Sequence, residues 1–251
     1  MKSIYETLMG GFQTIAQLFD LPMFAPTDHS AYHSDAHCID VACLAGAIYL
    51  HEVGRWECNP NTLRNLVLAG MYHDADHTKG SGYNDDVNIE RAQQAFKNSH
   101  FYNTIGEANS REVLALIGYT RYPYSANVIM VEVNCLRDAD LLAAIFRGQP
   151  DAILTGLRKE LQTHADIYNK NIEWTTIHGI KRQVPASDYG RIEACESQIS
   201  FCQGMILQTK TGQELRNHLK DEWFNLLKTA ATADEDIPSA VSRHPAARTL
   251  F

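Results

Sequence analysis

Three features of this 251-residue chain predict an all-α fold: three- and four-residue apolar spacing through most of its length, scarce strand-type alternation, and breaks rich in Gly, Pro and polar residues. Residues 3–20 form the first expected helix, whose apolar positions are interrupted by Glu6, Gln13 and Gln17, so the segment reads as amphipathic rather than as a signal peptide. A second helix is expected over 34–54; its apolar run Val41–Leu50 is too short to cross a bilayer. Further helices are expected over 61–77, with Asn61 as N-cap, over 87–98, and over 110–120 with Ser110 as N-cap. Another follows over 129–147. Over 151–170, Leu154, Leu157, Leu161, Ala165 and Tyr168 recur on one stripe, and helices over 189–209 and 212–230 follow. The last opens on Thr211-Gly212-Gln213-Glu214, which has capping-box spacing. Breaks fall at Leu21–Asp28, Lys79–Asp86, Tyr122–Tyr124, Gln149-Pro150 and Ile172–Ser187. Residues 1–233 read as one domain and 234–251 as an irregular tail.

The apolar fraction is 45% and the charged fraction 21%, as in soluble globular proteins. A formal net charge of −8 without a dense Lys/Arg run argues against nucleic acid as a partner. It leaves room for a small anionic substrate, because bound cations would dominate the local field. The six cysteines (38, 43, 58, 135, 195 and 202) are scattered, with no C-x-x-C pair, as expected of reduced thiols in a cytoplasmic protein. No membrane partner is expected, and a homodimer is left open.

The chemistry concentrates in three places. His73-Asp74, within Met71-Tyr72-His73-Asp74-Ala75-Asp76-His77, sets a nitrogen ligand beside a carboxylate that could bridge two ions. Upstream lies Tyr32-His33-Ser34-Asp35-Ala36-His37; downstream lies Arg137-Asp138-Ala139-Asp140-Leu141. His33 and His37 are four residues apart, as are His73 and His77, so on helices each pair would share a face. Isolated histidine pairs are usually surface or core residues; two pairs, one carrying His-Asp, followed by an acidic pair, point to a metal site. Mixed nitrogen and oxygen donors suit Zn, Mn, Fe or Mg.

Tyr-His-x-x-x-His, His-Asp-x-x-His and Ala-Asp-Leu, in that order, resemble the HD-domain phosphohydrolases and, more narrowly, the class I 3′,5′-cyclic-nucleotide phosphodiesterases. Tyr83-Asn84-Asp85-Asp86 leading to Glu90 resembles a further element of that family, as does Asp188 followed by Ser197-Gln198-Ile199-Ser200-Phe201. The likeness runs in pieces from about residue 32 to 225. It implies a compact multi-helix bundle with the metal site between helices, two divalent ions, and opening of cAMP or cGMP to the 5′-monophosphate by a metal-bridging hydroxide.

By position, the resemblance makes His37, His73, Asp74 and Asp140 the metal ligands, with Asp138 the rival to Asp140. It makes His33 the general acid for the departing O3′ and places His77 near the second ion, positioning water or contacting phosphate. Glu90 becomes a partner that orients an imidazole or a metal-bound water. Gln198 would hydrogen-bond the nucleobase and Phe201 stack on it. The chain departs from the pattern at Ser34, where the family has Asn, and at Leu142-Ala143-Ala144, where a base-reading Asn is expected. The segment between His77 and Tyr83 is also shorter than usual. The alternatives are another HD enzyme (a 5′-nucleotidase, dNTP triphosphohydrolase or cyclic-dinucleotide hydrolase) and a non-catalytic nucleotide-binding module.

Overall fold

Ser3 opens the first helix with a capping box: its hydroxyl accepts the Glu6 N–H at 3.1 Å, and the Glu6 carboxylate accepts the Ser3 N–H at 2.8 Å. The structure is a computed structural model and describes residues 3–20, 31–78, 85–124, 128–167, 171–175 and 180–233. The sequence elements at Leu21–Asp28, at Tyr83-Asn84 and in the tail 234–251 lie outside the described residues, as do the side chain of Ala165 and all of Tyr168. The fold is all-α: among the described residues, ten α-helices are accompanied by one two-stranded hairpin.

The chain groups into two units, the first comprising described residues within 1–29, 33–143 and 207–218, the second those within 30–32, 144–206 and 219–251. In the first unit, α1 (Ile4–Phe19) packs on α2 (Asp35–Val53), and α2 packs on α3 (Pro60–Tyr72). Then come α4 (Asp86–Lys97), the short α5 (His100–Thr104), which the periodicity does not announce, and α6 (Glu107–Gly118), which lies against α3 and α4. Helix α7 (Val131–Arg147) contributes Val133, Leu136 and Leu142 to the apolar interior, beside Phe12, Ile15, Leu44, Ile48, Leu66 and Ile117. By length and composition α2 could cross a membrane, but the chain buries most of it against its neighbours.

Close approach of α2 and α3 positions the site. A β-carbon on Gly70 would lie 2.6 Å from the Ala42 Cα and 2.9 Å from the Ala42 N, so only glycine permits this crossing. The helices are joined by the short segment 54–59, so the start of α2, with His37, and the end of α3, leading to His73, fall at one end of the pair. Ser34 caps α2 by accepting the His37 N–H at 3.4 Å; a serine does there what an asparagine would do.

Several local expectations are corrected. Asn59, not Asn61, caps α3, because Pro60 takes the first helical position. Ser110 sits inside α6, buried, donating its hydroxyl to the Tyr102 carbonyl at 2.6 Å; Gly106 is the N-cap. Thr209, not Thr211, closes the start of α10 (Lys210–Ala231): its hydroxyl accepts the Gly212 N–H at 2.9 Å. The helix expected over 61–77 ends at Tyr72, and the chain continues in turns, with Asp76 in the left-handed region at φ 59°.

In the second unit a π-helical turn, Ala152–Leu157, runs into α8 (Arg158–Ile167). Strands β1 (Asn171–Thr175) and β2 (Lys181–Pro185) form an antiparallel hairpin within the segment expected to be a break. Their one apolar pair is Ile172 opposite Val184, too little alternation to signal strands. Helix α9 (Arg191–Gly204) follows, and the end of α10 adds Trp223 and Leu227 to this unit's core. Arg191 ties the unit together, donating to Thr155 Oγ1 at 2.7 Å, Asp151 Oδ1 at 2.9 Å and the Ala230 carbonyl at 2.8 Å.

Candidate metal centre

His37, His73, Asp74 and Asp140 converge in the first unit: each offers one ligand atom, all within 4.8 Å of one another, a group that could hold a metal ion. His37 comes from the first turn of α2, His73 from the C-cap of α3, Asp74 from the turn beyond it, and Asp140 from α7. His37 Nε2 lies 3.4 Å from Asp74 Oδ2 and 3.5 Å from Asp140 Oδ1; His73 Nε2 lies 3.1 and 3.3 Å from the same two oxygens. The His73 side chain is 1% exposed and that of Asp140 24%, so the carboxylates form the solvent-facing half.

The donor set fits a divalent cation. His73 Nδ1 is 2.7 Å from the Gly70 carbonyl, an oxygen that only accepts, so Nδ1 carries the proton. In the neutral ring Nε2 is then a lone pair, aimed between two carboxylates and aligned for a hydrogen bond with neither. Such an arrangement needs positive charge between these groups, either protons on the imidazoles or a cation. In the metal-free chain the protons supply it. Burial, the largest influence, pulls the His37 imidazolium down, but Asp140 and Asp74 together override it and raise the pKa to about 10. His73 is likewise raised, against its burial, by the same carboxylates. Burial pushes Asp74 and Asp140 up, and the two imidazoles hold both below the ordinary carboxylate range. One divalent ion could replace both protons and leave the set neutral, whereas burial of four unpaired ionisable groups would be costly.

The other sequence candidates fall as follows. His33, just before α2, and His77, just after the Asp76 turn, stack face to face with ring centroids 3.8 Å apart and planes 17° apart. His33 also meets His37 edge-on at 6.2 Å. Thus the paired histidines do not share helical faces as spacing suggested; His33 and His77 lie outside the helices and meet each other. Asp138 is fully buried and turned from the ligands, accepting from Gln208 N, Thr209 N and Thr209 Oγ1. Two residues of an α-helix are about 200° apart, so Asp138 and Asp140 serve opposite sides of α7. Glu90 lies exposed on α4, where the buried polar side chain is Asn88, which binds Thr78 and Asp85.

Gln198 and Phe201 belong to α9 in the second unit. Gln198 lines a small cavity of about 60 Å³ with Ile153, Leu157, Arg158, Tyr189 and Ser197, while Phe201 is 37% exposed.

Tyr124 is the residue that motif reading missed. Its hydroxyl reaches Asp140 Oδ2 at 3.2 Å, and its ring lies under the Arg137 guanidinium, 4.7 Å from the centroid. Burial first, then the Asp140 charge, pushes the hydroxyl well above the ordinary tyrosine value, so it stays a donor. The Tyr122–Tyr124 stretch had signalled only a break between helices.

Fold and site define an all-α protein with a candidate mixed nitrogen–oxygen metal centre. No protein-family model matches the chain, and no curated protein matches it in sequence.

Proposed function

We propose that this protein is a metal-dependent phosphodiesterase that opens 3′,5′-cyclic nucleotides to 5′-nucleoside monophosphates. The observation that carries the reading is the convergence of His37, His73, Asp74 and Asp140, with the His33–His77 stack beside His37. The order of the motifs resembles the HD-domain phosphohydrolases and supports it from the sequence side.

Two carboxylates alone would repel an anionic phosphodiester. Divalent ions, two in the reading by resemblance and of Zn, Mn, Fe or Mg type, supply Lewis acidity and make hydroxide available near neutral pH. His37, His73, Asp74 and Asp140 would hold the tighter ion, and by the resemblance Asp74 would also serve the second. His33 carries the proton that the departing O3′ needs, a task suited to imidazole near neutral pH. His77, stacked on His33, restricts that ring's orientation, and by the resemblance it would position a water or contact the phosphate. By the resemblance Gln198 and Phe201, both on α9, would read the base, and Glu90, exposed on α4, would orient an imidazole or a metal-bound water. The partner is a small nucleotide in the cytoplasm, and homodimerisation is compatible with the reading.

The second reading is another HD-type phosphohydrolase, a 5′-nucleotidase, dNTP triphosphohydrolase or cyclic-dinucleotide hydrolase, which the same four ligands would serve.

One assay separates them. Purified protein with Mn(II) or Mg(II) is offered cAMP, cGMP, bis(p-nitrophenyl) phosphate, AMP and dATP. Release of 5′-monophosphate from the cyclic substrates is expected. Activity confined to AMP or dATP transfers the assignment to the second reading, and nucleotide binding without any product rejects both.

A further inference from the structure

We infer that Tyr124 is a positioning residue for the metal centre: by donating to Asp140 Oδ2 it leaves Oδ1 as the single oxygen that Asp140 turns toward His37 and His73. The inference rests on the metal-binding part of the proposed function and not on the identity of the substrate.

The geometry divides the two carboxylate oxygens cleanly. Oδ2 meets the Tyr124 hydroxyl at 3.2 Å. Oδ1 is the atom that lies 3.5 Å from His37 Nε2 and 3.3 Å from His73 Nε2. The Tyr124 oxygen also stands 3.3 Å from the Arg137 carbonyl, but a hydroxyl has one proton. That carbonyl lies inside α7, where the helical N–H four residues on already serves it, whereas the carboxylate is charged and draws the stronger bond.

Tyr124 is itself held. The Arg137 guanidinium covers its ring, and Arg137 Nε is fixed by the Tyr119 carbonyl at 2.8 Å. Arg137 is 3% exposed, so this clamp is part of the interior. On another side the Tyr122 ring meets Tyr124 edge-on at 5.4 Å. A carboxylate on a freely rotating side chain can offer one oxygen or two; this one has its rotation set by a tyrosine whose own position is set by an arginine. Outer partners of this kind orient metal ligands and affect affinity.

The test uses Co(II) as the probe, read by its visible absorption bands and by titration, with far-UV circular dichroism and the metal-free unfolding midpoint in parallel. Tyr124→Phe removes one oxygen and keeps the ring packed. It should weaken Co(II) binding about tenfold, within the range for such partners, and shift the absorption bands, with the metal-free midpoint little changed. Tyr122→Phe, which leaves Asp140 untouched, should bind as wild type does. In an Asp140→Asn background Tyr124→Phe should add no further loss, because the two act through one carboxylate. Unchanged affinity and bands in Tyr124→Phe overturn the inference, and so does an undiminished effect in the Asp140→Asn background. Failure of the wild type to bind Co(II) is a separate result that removes the metal centre itself.

Discussion

Asp138 accepts twice from Thr209 through one oxygen: the backbone N–H at 2.8 Å and the hydroxyl at 2.7 Å both reach Oδ2, while Oδ1 takes the Gln208 N–H at 2.8 Å. The carboxylate therefore fastens the start of α10 to the middle of α7 within the first unit. Two residues on, Asp140 faces the histidines.

The two aspartates should accordingly fail in different ways. Asp138→Ala leaves buried donors without acceptors and should cost about 3 kcal/mol of stability, with metal still bound at low temperature. Asp140→Ala should lose bound metal, measured by elemental analysis, and with it the rise in unfolding midpoint that metal confers. The assignment is reversed if Asp138→Ala is the variant that emerges metal-free with an unchanged midpoint.

Gly70→Ala tests the crossing of α2 and α3. The added methyl meets backbone atoms of Ala42, which cannot rotate away, and the Gly70 carbonyl is the acceptor that fixes His73. Destabilisation of about 1–3 kcal/mol is expected from the overpacking, together with weaker metal binding. Denaturant unfolding and a metal titration read the two effects, and wild-type values in both would show that the helices separate at no cost.

Metal and protons should compete. In the metal-free protein His37 is held at about 10, above the 6.5 of an unperturbed imidazole. Its contribution to stability is thus complete below the lower value and disappears as pH rises through the higher one. Metal binding displaces that proton, so affinity should increase over the same interval. Calorimetric titration in two buffers of different ionisation enthalpy counts the protons released. A release of none would place the metal elsewhere.

Gln198→Ala should raise KM for purine cyclic nucleotides about tenfold, the order of one hydrogen bond to a base, with little change toward bis(p-nitrophenyl) phosphate. Steady-state kinetics on both substrates decides. An equal loss on the base-free diester would assign Gln198 to packing in its small cavity instead.

Much of the candidate metal centre was legible because its residues carry their chemistry in short, ordered motifs. His37, His73, Asp74 and Asp140 were named from those motifs, and the structure draws all four together. The resemblance, through Ala-Asp-Leu, preferred Asp140 to its rival Asp138, and the opposite sides of α7 that the two serve give the physical reason. Two things were not legible. Tyr124 lies 16 residues from its partner Asp140 and belongs to no motif. The pairing of β1 with β2 is held by its ladder with one apolar pair, which gives no alternation to read.

The sequence by itself determined most of the helices and the chemical character of the site, because apolar spacing and ligand-type side chains are local properties of the chain. Tertiary structure decided which side chains meet. The Gly70–Ala42 crossing, the left-handed turn at Asp76 and the rotation of α7 bring His37, His73, Asp74 and Asp140 together and stack His33 on His77. Those meetings depend on packing between segments far apart in the chain, where distances of a few ångströms are set by neighbours that no single motif contains.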